Sequence, residues 1–589
     1  MAVISRRSGA YAVALVAIAA CVAALVSLAP SASEAATTAS VGALSCSSAP
    51  AAGHVACLST ATRLTTADAG PAGAQGYGPG DLDSLYDLPA AVRHGAPSRN
   101  TPTVAVIDVG HDLHAASDLA AYRAYFKLPA CTKASGCFSE VNEHGSTTNL
   151  PAMSARDDWG GEISLDLDMV SAICPACNLL LVDAASTASD DLVAAAQEAT
   201  AYANHGRPAH YVSMSFGGSE PTGSGTDSEL DPSNDPFLPT NNAVYVAATG
   251  DCGYRPIASD RVLCTDPRSG ESLAGASWPA VLPTVVGTGG VTAAETGSGT
   301  SATWSLSAWN GSGSGCATGV PATAVSPVQQ AAVTTALAPT PSAVTECQGR
   351  ATSDLSAIAD NNDGVLVYYT SSYAYGSNAF EQNDGCTPKG TPDHCLPWEV
   401  AGGTSAAAPQ VAAMYALAGD VSTPDAAVQE LYQNAATVTS DFVDITSGST
   451  EGCRSTDGAL CKAGTGWDGP TGLGIPSGLG AFTATGAAPG TFTATQVAAI
   501  SGKAKVGDVL RASAGTVVDA TTNAPVTGAT STLQWMRGRT PIPGATRATY
   551  KLVKADKGHK ITVRVTVAAT DYVPFSDSAP ATAAVRKKK

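Results

Sequence analysis

Short apolar runs punctuated by glycine mark the chain from Leu85 onward. Thr103-Val-Ala-Val-Ile107 runs into Asp108 and Gly110, which predicts a buried strand ending in a loop. Leu179-Leu-Leu-Val182, Tyr211-Val-Ser-Met-Ser215 and Ala243-Val-Tyr-Val-Ala247 repeat that form, and Asp190 to Tyr202 reads as an Ala-rich helix between two of them. Unbroken apolar strands interleaved with helices predict an α/β fold: a largely parallel sheet with helices on both faces. Ligands of such sheets sit beyond the strand C-termini, where Asp108, Gly217 and Asp251 fall.

After Ala487-Ala-Pro-Gly490 the period changes. Ile561-Thr-Val-Arg-Val-Thr-Val567 alternates, and with Trp535 near its centre this stretch predicts a small all-β sandwich. Leu533-Gln-Trp-Met-Arg, Ile542-Pro-Gly-Ala-Thr and Asp556-Lys-Gly558 resemble the immunoglobulin-like repeats appended to bacterial extracellular proteins. The expected organisation is a signal peptide at 1–35, a short leader at 36–82, a catalytic core at 83–485 and the β module with its basic tail at 486–589.

The leading segment has the three parts of a signal peptide. Arg6 and Arg7 precede an apolar run from Ala10 to Leu28, and Ser33 and Ala35 suit the positions before a cleavage site. Its alternative, an uncleaved anchor, is weaker; no later stretch is apolar enough to cross a bilayer, so no stable membrane insertion is expected. Charge agrees with export: 32 Lys plus Arg against 50 Asp plus Glu leaves −18, which disfavours nucleic acid as a partner. Of 15 Cys, the 14 beyond Cys21 fall into seven near neighbours: Cys46/Cys57, Cys131/Cys137, Cys174/Cys177, Cys252/Cys264, Cys316/Cys347, Cys386/Cys395 and Cys453/Cys461. Local disulfides in an oxidising, extracellular compartment are the natural reading.

The chemistry concentrates in a few places. Gly402-Gly-Thr-Ser405-Ala-Ala-Ala-Pro409 puts a serine at the start of a helix, where N–H groups face a developing oxyanion. Serine is a weak nucleophile and needs a base. Asp108, His144 and Ser405 stand in the order a subtilisin uses, but His144 is followed by Gly, Ser, Thr and Pro151 rather than by an apolar helix. The helix that begins near Gly161 instead carries Glu162 and Asp166, four residues apart and on one face. Close carboxyls share a proton and split their apparent pKa values, leaving one as a base under mildly acidic conditions. Asp168 points to another side of this helix and stays outside the set.

Glu-x-x-Leu-Asp followed far downstream by Gly-Thr-Ser-x-x-x-Pro resembles the sedolisins, the serine-carboxyl peptidases, from about Leu85 to Phe482. The resemblance implies a subtilisin-like fold with Ser405 as nucleophile, Glu162 as general base and Asp166 as its partner, acting on protein or peptide substrates at acidic pH. It also implies Asp251, in Ala-Thr-Gly-Asp-Cys-Gly, as the oxyanion acid, with Asp108 as a further acid behind the site. It implies one structural calcium held by the side chains of Asp444 and Asp468 and the carbonyls of Ile445, Gly464 and Gly466. Arg350-Ala-Thr-Ser-Asp354 is a further family-like segment, read as structural. Two features depart from that pattern: the leader is far shorter than a sedolisin prodomain, and Phe216 and Cys252 replace the usual Trp and Ser. The expected protein is a secreted, monomeric serine endopeptidase whose terminal module meets a cell-wall or surface ligand. Its rivals are a subtilisin-type protease using Asp108, His144 and Ser405, and a non-catalytic binding protein on a degenerate peptidase scaffold.

Overall fold

A computed structural model describes residues 54–65, 76–89, 96–98, 100–153, 159–202, 208–219, 237, 243–255, 264, 274–296, 303–321, 325–347, 349–370, 395–419, 426–437, 439–483, 492–519, 525–526, 529–538, 540–542, 544–568 and 575–587. The proposed signal peptide, Cys46 and Cys386 lie outside them. Among the described residues no helix is long and apolar enough to cross a membrane.

The four strands read from apolar runs are all present and form the centre of one sheet. They are β3 (Thr103–Val109), β5 (Asn178–Ala184), β6 (Tyr211–Met214) and β8 (Val244–Ala248). With β4 (Phe138–Asn142), β9 (Val285–Thr296) and β10 (Thr303–Ala308), the spatial order is β10-β9-β8-β6-β3-β5-β4. All neighbours pair in parallel except β9 with β10, and β11 (Leu355–Ile358) also joins β9 in parallel. Every residue of β3 is buried. Val104 and Val106 enter one core while Ala105 and Ile107 enter another, which is why the strand shows no polar alternation.

Two helices bring the candidate residues onto one face. Helix α3 (Gly160–Ile173) is buried along its whole length, and it packs against α5 (Thr404–Ala418), buried from Thr404 to Ala416. Helices α1 (Pro79–Tyr86) and α2 (Ala115–Tyr125) pack against α3, and α4 (Ser189–Ala201) covers the other face of the sheet, against β5 and β3. The described strand pairs of the C-terminal part are antiparallel, and it has a core of its own around Trp535, Leu510 and Val563. Disulfides join Cys131–Cys137, Cys174–Cys177, Cys252–Cys264, Cys316–Cys347 and Cys453–Cys461, five of the expected pairs.

Residues 54–65, within the segment read as a short leader, pair with the core. Residues Ala56–Cys57 (β1) pair antiparallel with Phe216–Ser219 (β7), and Thr60–Thr65 (β2) pairs antiparallel with Cys395–Gly402, here β13. Such pairing needs no sequence signature, because any extended backbone satisfies a strand edge.

Candidate active site

Gly403 makes the turn from β13 into α5 possible. Its φ of 95° lies in the left-handed region, and a Cβ there would stand 2.2 Å from the Leu58 carbonyl oxygen and 2.5 Å from Asp251 Oδ2. Ser405 follows as the second helical residue and is fully buried. Pro409 lies four residues on, so the Ser405 carbonyl lacks the N–H that a regular helix would supply. Ser215 Oγ, just past β6, stands 3.2 Å from that carbonyl oxygen and donates to Asp166 Oδ1 at 2.7 Å.

The acids converge on this serine from three elements. Glu162 and Asp166 come from α3, Asp108 from β3 and Asp251 from the loop after β8. Burial, reinforced by the charge of Asp108, raises Glu162 well above the usual carboxylate range, while the Ser405 and Ser59 hydroxyls oppose the shift. Asp166 is raised well above its ordinary value by burial and then by Asp108 and Glu162, against the bond from Ser215. Burial pushes Asp108 to about 8, and neither of its oxygens has a hydrogen-bond partner. A dry cluster of this kind keeps most of its protons in acid, and the first proton lost leaves one shared charge. Although Ser405 lies near Glu162, its hydroxyl donates in this rotamer to the Ser215 carbonyl at 2.9 Å. Asp251 Oδ1 accepts from both the N–H and the hydroxyl of Thr404, each at 2.8 Å, which fixes its carboxyl beside the Ser405 turn.

The chain's own residues 54–65 thread this pocket. The Ser405 N–H donates to the Leu58 carbonyl at 2.9 Å, and the Leu58 N–H donates to Ser405 Oγ at 2.9 Å. Ser59 donates its hydroxyl to Glu162 Oε2. Composition could not reveal these contacts, and Ser215 was legible only as the residue closing an apolar run.

Other candidates fall elsewhere. The His144 side chain is 76% exposed on the turn after β4, with Glu143 as its nearest acid at 3.7 Å. Asp168, set aside from the sequence, caps the backbone N–H of Tyr368 at 2.9 Å. His111, Glu140 and Asp183 offer three ligand atoms within 4.8 Å of one another, yet Glu140 is already paired with Lys133 at 2.5 Å.

Asp444 and Asp468, the two acids of the expected calcium set, lie near each other. Gly466 donates its N–H to Asp444 at 3.0 Å, Gly464 donates to Asp468 at 3.1 Å, and buried Ile445 follows Asp444. Burial raises Asp468 to about 7, with Asp444 adding to the shift. Two neighbouring carboxylates supply hard oxygen donors of the kind a divalent cation takes, and here those oxygens accept from backbone N–H groups.

The family model described as Peptidase_S8, subtilase family, matches residues 102–472. No curated protein sequence matches the chain. Among solved structures, Pseudomonas sedolisin, a serine-carboxyl proteinase, is similar at 22% identity with a TM-score of 0.48, covering 68% of this chain and 96% of that one. A lanthipeptide protease follows at 14% identity and TM-score 0.38, covering 69% and 92%. Fervidolysin from Fervidobacterium pennivorans, a keratinolytic enzyme related to subtilisin, is 14% identical at TM-score 0.34, covering 82% and 73%. The model spans well over half of the 589 residues, from the strand that carries Asp108 past the helix that carries Ser405, and the chain belongs to the subtilase family.

Proposed function

We propose that this subtilase-family protein is a secreted serine-carboxyl endopeptidase in which a carboxylate takes the place of histidine. The observation that carries this reading is the burial of Ser405, Glu162 and Asp166 in one pocket while His144 stands in solvent. Ser405 Oγ attacks the peptide carbonyl and Glu162 takes its proton, held in place by Asp166. The Ser405 N–H and a protonated Asp251 stabilise the oxyanion. Glu162 acts ionised and Asp251 protonated, so activity is greatest in mild acid. One calcium, bound by the Asp444 and Asp468 carboxylates with the carbonyls of Ile445, Gly464 and Gly466, ties two loops together and takes no part in the chemistry. The paired cysteines suit an extracellular setting. An immunoglobulin-like terminal module that meets a wall or surface ligand completes the proposal.

The test is hydrolysis of unfolded casein from pH 3 to 9 by the full chain, beside Ser405→Ala and Glu162→Gln. Acidic activity that Ser405→Ala abolishes and Glu162→Gln lowers by about 10²- to 10⁴-fold supports the assignment. Activity that survives Glu162→Gln and peaks above neutrality sinks it.

A further inference from the structure

A second group of ionisable side chains lies toward the C-terminal ends of the strands beside β3. Phe138 of β4 and Leu179 and Leu181 of β5 belong to the core that holds α3. Glu140 and Asp183 come two residues further along these strands, so the strand period of two sets them on that same face. His111 stands just past β3. Its N–H donates to Pro151 at 2.8 Å, and the preceding Gly110 N–H donates to Ala184 of β5 at 3.0 Å, which fixes the backbone that carries the imidazole. His111 Nδ1 lies 2.5 Å from Glu140 Oε1 and 3.7 Å from Asp183 Oδ2, and the three atoms fall within 4.8 Å of one another.

The cluster holds more acid than base. The Glu140 and Asp183 side chains are 1% and 0% exposed, while that of His111 is 23% exposed and opens the group to solvent. Lys133 takes only one oxygen of Glu140, Oε2, at 2.5 Å. Neither oxygen of Asp183 has a hydrogen-bond partner, although the carboxyl is fully buried. Asp108 and Asp112 lie close enough to act on Asp183 as further acids. A buried carboxyl in this position is costly unless it keeps its proton or meets a cation. Asp183 Oδ2, one of the two orphaned atoms, is the one that faces the imidazole.

We propose that His111, Glu140 and Asp183 form a binding site for a divalent transition-metal ion of the zinc class. One imidazole beside two carboxylates is a mixed nitrogen and oxygen set, which suits zinc better than calcium or magnesium, ions that take oxygen. Zinc bonds such ligands at about 2.1 Å, which spaces tetrahedral ligand atoms roughly 3.4 Å apart. The 3.7 Å between His111 and Asp183 is already near that spacing. The His111–Glu140 pair opens by about 1 Å as the proton between them passes to solvent and the ion takes its place. Water fills the remaining position on the exposed side of the His111 ring. The ion supplies the positive charge that Asp183 lacks, and its site shares no residue with the Asp444 and Asp468 loops.

Full-length Ser405→Ala protein, which cannot digest itself, is stripped with chelator, returned to calcium-containing buffer and titrated with zinc at pH 7. Calorimetry gives affinity and stoichiometry, and thermal unfolding gives stabilisation. One zinc per chain is expected, with a raised melting temperature. His111→Ala, at a partly exposed position, and the near-isosteric Asp183→Asn each weaken binding about 100-fold or more and abolish the rise. Circular dichroism and melting without zinc show that both variants fold. Absence of zinc binding overturns the proposal. So does affinity retained in either variant, which places the ion elsewhere, or an equal rise with magnesium. None of the three residues is catalytic, so neither result touches the serine-carboxyl reading.

Discussion

The Ser405 hydroxyl donates to the carbonyl oxygen of Ser215 at 2.9 Å. On the proposed mechanism this bond holds the Ser405 proton on a backbone group, and Ser405 turns toward Glu162 before attack. Ser215 also ties the nucleophile's helix to Asp166, since its own hydroxyl is the donor to Asp166 Oδ1 at 2.7 Å. Ser215→Ala leaves that oxygen buried without its donor, a cost of about 1–3 kcal/mol. If that stabilisation serves the transition state, kcat falls by roughly 10- to 100-fold with little change in KM. Steady-state kinetics on a short peptide decides the matter, and a kcat within twofold of wild type refutes it.

On the proposed mechanism Asp108 adjusts Glu162 from behind. When ionised it raises both Glu162 and Asp166, after burial itself. Burial holds Asp108 protonated up to about 8, so its charge acts only toward the alkaline side, and Asp108→Asn leaves the acidic limb of the rate profile in place. An acidic limb that moves in Asp108→Asn excludes this account.

The same acids set how stability follows pH. A carboxyl whose folded pKa is raised favours folding below its ordinary value and loses that contribution as pH climbs to the raised value. With Asp108 at about 8, the window runs from the ordinary carboxylate range near 4 up to about 8. Thermal unfolding of Ser405→Ala, which cannot digest itself, is expected at higher temperature at pH 4.5 than at pH 8. Adding Asp108→Asn flattens the slope by up to about 1.4 kcal/mol per pH unit. An unchanged slope argues against the shift.

Arg350 and Asp354 form a fully buried ion pair at 2.6 Å, and Asp354 also accepts from Gly287, Gln329 and Tyr432. Arg350→Met leaves a buried carboxylate uncompensated and is expected to cost about 3–5 kcal/mol in urea unfolding. Arg350→Met with Asp354→Leu removes both charges and costs less. Equal losses in the two variants contradict a charge-balance role.

On the proposed calcium site, an ion bound at the Asp444 and Asp468 loops would stabilise the folded chain by mass action, about 2.7 kcal/mol at a hundredfold excess over Kd. Chelation is then expected to lower the melting temperature by roughly 5 °C, and Asp468→Asn to remove the dependence. Equal protection by magnesium, which prefers tighter octahedral geometry, counts against the site.

The sequence alone determined the parallel sheet, because strands buried on both faces cannot show polar alternation and so announce themselves as Val104 to Ile107 does. It also marked Ser405, Glu162 and Asp166, whose spacing along two helices is a local property of the chain. Tertiary structure decided what those residues meet. That Glu162 rather than His144 lies near Ser405 follows from α3 packing against α5, a contact between elements far apart in sequence. Ser215 takes its place through the missing helical bond at Pro409, and Asp108 acts through a shared dry interior; neither is visible in one segment. The place of Leu58 beside Ser405 is the extreme case, since strand edges accept any extended backbone and only the folded cleft selects which stretch lies there.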